Sequence, residues 1–162
     1  MQLSLARPLA YGVGVYNADN PFGARPETYK DFGLAGHNGI DYIVAVGAPV
    51  FSMYPGRVVK VAEFDLAAAR GGYGVHVVIE NDIARIVYAH LSVYYVKVGQ
   101  VVGVLHQIGL SGNTGNSTGP HLHVTLKLKG MLNPAYQNAI DPVIFRDGPA
   151  PSGARGIEAT GV

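Results

Sequence analysis

From Ile40 onward the apolar residues fall in short runs, many of them alternating with polar ones, and each run is closed by turn-forming residues. Period-2 alternation is the signature of a half-buried strand. It predicts strands over 43–46, 49–53, 57–62, 74–80, 83–90, 101–105, 108–111 and 121–129. The last is the plainest, with Val124, Leu126 and Leu128 alternating with Thr125, Lys127 and Lys129. Gly47-Ala48-Pro49, Pro55-Gly56, Gly71-Gly72 and Asn81-Asp82 supply the turns, and such short spacing favours antiparallel pairing. One helical piece is suggested, over 62–70, and about nine residues is marginal for a helix, so a loop insertion with at most a turn or two is expected. Residues 1–30 read as an N-terminal extended segment packed on a domain that covers 31–147, and 148–162 as a flexible tail. Aromatic residues at Tyr11, Tyr16, Phe22, Tyr29 and Phe32 punctuate loops that pack on a sheet and wall a groove.

Composition narrows the picture without changing it. At 162 residues, 48% hydrophobic and 14% charged, the chain suits one packed domain. Its 22 glycines and 10 prolines are spread between short strands, which points to an all-β, β-rich fold: an antiparallel sheet with a second small sheet and long loops. A formal net charge of +1, with scattered Lys and Arg, argues against a nucleic-acid partner. Met1 to Ala10 lacks the charged start and apolar run of a secretory signal, and no apolar stretch approaches the ~20 residues of a membrane span, so no membrane insertion is expected. With no cysteine, any metal ligands must be nitrogen or oxygen.

The candidate chemistry lies in three histidine-bearing fragments. His121 and His123 follow the Gly-rich loop 112–120; two apart on a strand, they share a face, with Cα atoms about 7 Å apart. Alone, such a pair is equally well a polar patch on a solvent-facing strand. Upstream, Gly36-His37-Asn38-Gly39-Ile40-Asp41 places a histidine and an aspartate four apart, and Tyr88-Ala89-His90 ends an apolar strand on a histidine. A catalytic zinc takes three such protein ligands and keeps a fourth position open.

Gly36 to Asp41, Gly72-Tyr73-Gly74, Tyr88 to Ser92, Val98-Gly99-Gln100, Ile108 to Gly115 and Ser117 to His123, in that order, resemble the M23 family of zinc metallopeptidases. The resemblance covers roughly residues 30 to 145. It implies an endopeptidase cutting the peptide part of bacterial peptidoglycan, with one Zn²⁺ held by His37, Asp41 and His123 and with His121 and His90 as the catalytic pair. It leaves open whether glycine bridges or direct D-Ala to diamino acid crosslinks are cut. It implies a monomer acting at the cell wall, and the missing leader suits a phage lysin, release by lysis, or a leader trimmed away. The runner-up is a noncatalytic module of the same family, binding peptidoglycan or a partner, or a structural part of a phage tail. His76 and His106 match no catalytic position and read as structural and surface residues. Two departures stand out. Val124-Thr125 follows the histidine pair where family members often have Phe-Glu, and altered packing alone is expected from it. Asp31 stands at the spacing of the family's oxyanion tyrosine, leaving Tyr29 as the candidate against plain core packing.

Overall fold

Ten strands carry the chain: β1 (Val15–Tyr16), β2 (Ile40–Ile43), β3 (Pro49–Phe51), β4 (Gly56–Ala62), β5 (His76–Glu80), β6 (Ala84–Ala89), β7 (Leu91–Tyr94), β8 (Val101–Val102), β9 (Gln107–Ser111) and β10 (His121–Leu128). This computed structural model describes residues 3–10, 12–62 and 72–146. The tail over 148–162 lies outside them, as does the expected helical piece beyond Ala62. Seven strands form one sheet in the order β1-β2-β10-β6-β5-β4-β8, and three form a second in the order β3-β9-β7. All of their pairings are antiparallel, as the short turns require. Helix among the described residues is limited to α1 (Pro26–Tyr29), α2 (Val143–Arg146) and two 3-10 turns, and no helix is long and apolar enough to cross a membrane.

The core lies between the sheets. β2 sends Ile40 and Tyr42 inward, β10 sends Leu122, Val124 and Leu126, and β6 sends Ile86 and Tyr88, against Val50, Leu91 and Ile108 of the smaller sheet. Each fully buried side chain of this kind contributes about 1.5–3 kcal/mol. The N-terminal stretch joins the core itself through Leu5 and Leu9, and the Ala6 N–H bonds the Met53 carbonyl at 2.9 Å.

Several elements differ from the sequence expectation, among them β8, which ends at Val102 where a strand to Leu105 was expected. The strand expected over 43–46 lies at Ile40–Ile43, because Ile40 and Tyr42 alternate into the core around an outward Asp41. The two-residue β1 is too short to show a period. β7 was hidden behind His90, whose left-handed backbone (φ 60°) turns the chain out of the large sheet and into the small one.

Tyr88 ties the layers together, because its buried hydroxyl accepts the Met53 N–H at 2.7 Å and burial pushes its pKa well above the usual phenol range. Tyr88→Phe is expected to strand that N–H and lower stability by about 1–3 kcal/mol. Urea unfolding of the two proteins would measure it.

Candidate active site on the outer face of the large sheet

Alternation on β2 and β10 decides which side chains leave the core. With Ile40, Tyr42, Leu122 and Val124 turned inward, Asp41, His121, His123 and Thr125 share the opposite face. The antiparallel register sets Asp41 directly across from His123, and Ile43 across from His121. His37 arrives from the loop before β2, fixed by two backbone bonds of 2.8 Å: its N–H to the Ala24 carbonyl and its carbonyl to the Gly23 N–H. Gly39 lies between His37 and Asp41, where a Cβ would collide with the Val124 carbonyl and lie 2.7 Å from the His123 ring.

The three side chains converge on one point. His37 Nε2 and His123 Nδ1 are 3.0 Å apart, His123 Nδ1 and Asp41 Oδ1 2.9 Å, and His37 Nε2 and Asp41 Oδ1 3.3 Å. All three residues are buried, and together they form a group able to hold a metal ion. His37 Nδ1–H donates to the Asn20 carbonyl at 2.8 Å, so its Nε2 presents a lone pair inward. Asp41 Oδ2 accepts the Asn20 amide at 2.8 Å, which leaves Oδ1 alone for the centre. Burial works to raise the Asp41 pKa, but hydrogen bonding from the His123 and His37 rings, when a ring nitrogen facing it carries a proton, holds it far below the usual carboxylate range. Three acceptor positions therefore face one another with room for at most one shared proton. A cation is the partner such a set lacks.

His121 and His90 stand beside this triangle. Their rings are 4.6 Å apart, and His121 Nε2 lies 3.7 Å from Asp41 Oδ1. Each is oriented by a carbonyl: His121 Nδ1–H donates to Gly119 O at 2.8 Å and His90 Nδ1–H to Thr114 O at 2.7 Å. With the proton on Nδ1, each keeps Nε2 as its lone-pair nitrogen. Burial, reinforced by the neighbouring His123 and His121, pushes His90 down to about 3, so it stays neutral.

All five residues singled out in the sequence are thus brought together, beneath a cavity of about 560 Å³. Asn17, Asn20, Arg25, Tyr29, Asn116 and Gln137 are among its walls. Tyr29 belongs to this cavity rather than the core: it stacks on His37 at 5.4 Å between centroids, and its hydroxyl accepts from Asn20 at 3.4 Å. Of the loop glycines, Gly119 reaches the cavity, whereas Gly112 is required by the close approach of the His90–Ser92 backbone. His76 is buried and donates to the Gly74 carbonyl, and His106 is exposed; neither joins the cluster.

Sequence reading missed the residues that hold the triangle in place. Asn20, buried, grips both His37 and Asp41, and its Oδ1 meets no donor among the described residues. Thr125 does more than alter packing: its Oγ1 lies 2.8 Å from His123 Nε2. The period that paired His121 with His123 would also have found Thr125, two residues further on the same face. Nothing local marks Asn20.

A family model described as Peptidase family M23 matches residues 35–142. Among curated relatives, the peptidoglycan DD-endopeptidase ShyA of Vibrio cholerae is 42% identical over 98 residues, 60% of this chain and 21% of that protein. Lysostaphin of Staphylococcus simulans is 38% identical over 110 residues, 67% of this chain and 21% of that protein. The first match, an uncharacterized metalloprotease of Buchnera aphidicola, is 39% identical over 71% of this chain and 29% of its own length. The chain thus spans under a third of these relatives. Among solved structures, the catalytic domain of S. simulans lysostaphin superposes with a TM-score of 0.60 at 33% identity, covering 84% of this chain and 89% of that one. A zinc-containing peptidase from V. cholerae gives 0.67 at 28%, covering 86% and 39%.

Two outcomes follow from His90. A left-handed residue with a Cβ costs about 1–2 kcal/mol that glycine does not, so His90→Gly is expected to be more stable than His90→Ala by about that amount in urea unfolding. In metal-free protein, the folded His90 titrates at about 3 and the unfolded one near 6.5. The unfolded chain therefore binds the extra proton between these values, so stability is whole above ~6.5 and falls with pH below it, by up to ~1.4 kcal/mol per unit from this residue. Unfolding midpoints at a series of pH values in chelator would show the slope.

Proposed function

The chain belongs to peptidase family M23, and we propose that it acts at the bacterial cell wall as a zinc-dependent endopeptidase, hydrolysing peptide crosslinks or stem peptides of peptidoglycan. The observation that carries this reading is the donor triangle of His37, Asp41 and His123. Four donors around Zn²⁺ at 2.0–2.2 Å stand about 3.4 Å from one another. The separations here, 3.0, 2.9 and 3.3 Å, need to open by only a few tenths of an ångström. Two nitrogens, one oxygen and no thiolate suit a catalytic rather than a structural zinc, and the side of the triangle toward His90 and His121 faces the cavity. The relative named a peptidoglycan DD-endopeptidase supports the substrate class.

Bound there, zinc would polarise the scissile carbonyl and make water a competent nucleophile near neutral pH. The protein's own groups manage the protons. His121, its Nδ1–H fixed on Gly119, offers Nε2 to take a proton from the attacking water and return it to the leaving amine. His90, neutral and with Nδ1–H spent on Thr114, can only accept at Nε2, which suits orienting that water better than stabilising negative charge. Tyr29, whose pKa burial raises, keeps a proton to donate into the cavity toward the developing oxyanion. The polar side chains of the cavity walls include the uncharged amides and hydroxyls of Asn17, Asn116, Gln137 and Thr28, suited to a peptide backbone, set among apolar surface from Phe32, Leu34 and Ile43.

The decisive experiment is mass spectrometry of fragments released from peptidoglycans carrying glycine bridges or direct crosslinks. New amine ends are expected from one or both, lost on chelation and reduced about 10²–10⁴-fold in His121→Ala, while His37→Ala folds without zinc. Intact crosslinks from folded, zinc-loaded protein would overturn the reading in favour of a noncatalytic binding or structural module.

A further inference from the structure

His123 is 4% exposed, so both ring nitrogens depend on the protein for partners. Nδ1 belongs to the donor triangle, and Nε2 meets Thr125 Oγ1 at 2.8 Å. A neutral imidazole that offers a lone pair at Nδ1 must carry its proton on Nε2. Thr125, fully buried, supplies the acceptor. Its Oγ1 is also 3.1 Å from the Tyr73 hydroxyl, which accepts the Asn38 amide at 2.9 Å. Asn38 lies between the ligands His37 and Asp41. A chain of hydroxyls therefore leads from the ligand on β10 back to the loop that carries the other two.

We propose that Thr125, braced by Tyr73 and Asn38, is the positioning residue that keeps His123 competent as a metal ligand; the inference rests on the metal reading above. Both sides of the ring are held. The Tyr73 ring packs against His123 at 5.6 Å between centroids, and the absent side chain of Gly39 leaves the space that Cε1 and Nε2 occupy. A hydroxyl suits this position for two reasons. It can accept from Nε2 while passing its own proton to the Tyr73 oxygen, and it adds no charge beside the buried carboxylate of Asp41. Valine has nearly the same shape and would leave Nε2–H buried without a partner. Serine would keep the acceptor and lose only a methyl group. Groups in this outer position set ligand orientation and basicity, and their loss weakens metal binding about 10–100-fold.

The test is Zn²⁺ titration against a competing chelator on the full chain, with urea unfolding of each metal-free protein. Thr125→Val is expected to weaken Zn²⁺ binding ~10–100-fold while still unfolding cooperatively without metal, at a lower urea midpoint because Nε2 loses its buried partner, Thr125→Ser to stay within ~3-fold, and Tyr73→Phe to lose less in the same direction. Wild-type affinity in Thr125→Val, or a serine variant as weak as the valine one, would overturn the proposal. Should the valine variant fail to fold, Tyr73→Phe, which leaves the strand untouched, carries the test, and wild-type affinity there is the overturning result. A wild-type protein that takes up no Zn²⁺ would overturn the metal reading itself, whereas uptake that is insensitive to Thr125 overturns this inference alone.

Discussion

The register between β2 and β10 governs the site. Asp41 stands opposite His123 because Tyr42 stands opposite Leu122 and Ile40 opposite Val124, all four of them at most 1% exposed. A slip of one residue would send Asp41 into the core and Tyr42 out to the cavity. The penalty for that exchange is the burial of a carboxylate and the loss of a large aromatic from the interior, together far more than any contact on the outer face could return. The position of the two ligands is therefore set by apolar packing on the far side of the sheet. The third, His37, is held by backbone bonds to residues 23 and 24 and needs no strand of its own.

Around this frame the chain concentrates its unfavourable local choices in one place. His90 occupies a left-handed conformation while it carries the path from one sheet to the other, Asn20 Oδ1 is buried without a donor among the described residues, and His37, His90 and His123 lie almost out of water. Each is a known cost of roughly 1–3 kcal/mol. Each bears on an atom that the proposed chemistry would use. The turn at His90 accompanies a ring 4.6 Å from that of His121, and the Asn20 amide, by taking Asp41 Oδ2, leaves one carboxylate oxygen for the centre. Such strain is tolerable only on a scaffold whose core is complete without it.

The fold class and the five candidate residues could be read in the sequence for different physical reasons. Alternation reports burial directly, so β10 and the pairing of His121 with His123 were visible locally, and the ordered motifs linked His37, Asp41 and His90 to them. What escaped was set by contacts distant in sequence. β1 is two residues long, and β7 follows a backbone turn that a histidine gives no reason to expect. Asn20 is 21 residues from Asp41, and Tyr73 is 52 from Thr125; neither distance carries a period. Thr125 was read only as a change in packing, when its face on the strand already made it a neighbour of His123.

The donor triangle also links the fold to the ion. With Asp41 ionised and His37 committed to the Asn20 carbonyl, the folded protein holds an excess of acceptors in a nearly buried place at the floor of the cavity. An unfolded chain has no such conflict, because each group is solvated separately. A cation that binds only the native arrangement must therefore raise stability in proportion to the logarithm of its concentration over its dissociation constant. The apolar cluster between the sheets includes none of the ligands and stands complete beside them. This separates the protein from small zinc modules, which have no core to fall back on and fold only around the metal. The core and the backbone bonds of His37, which involve none of the three donor atoms, carry the loop that brings three buried acceptors within 3.3 Å of one another.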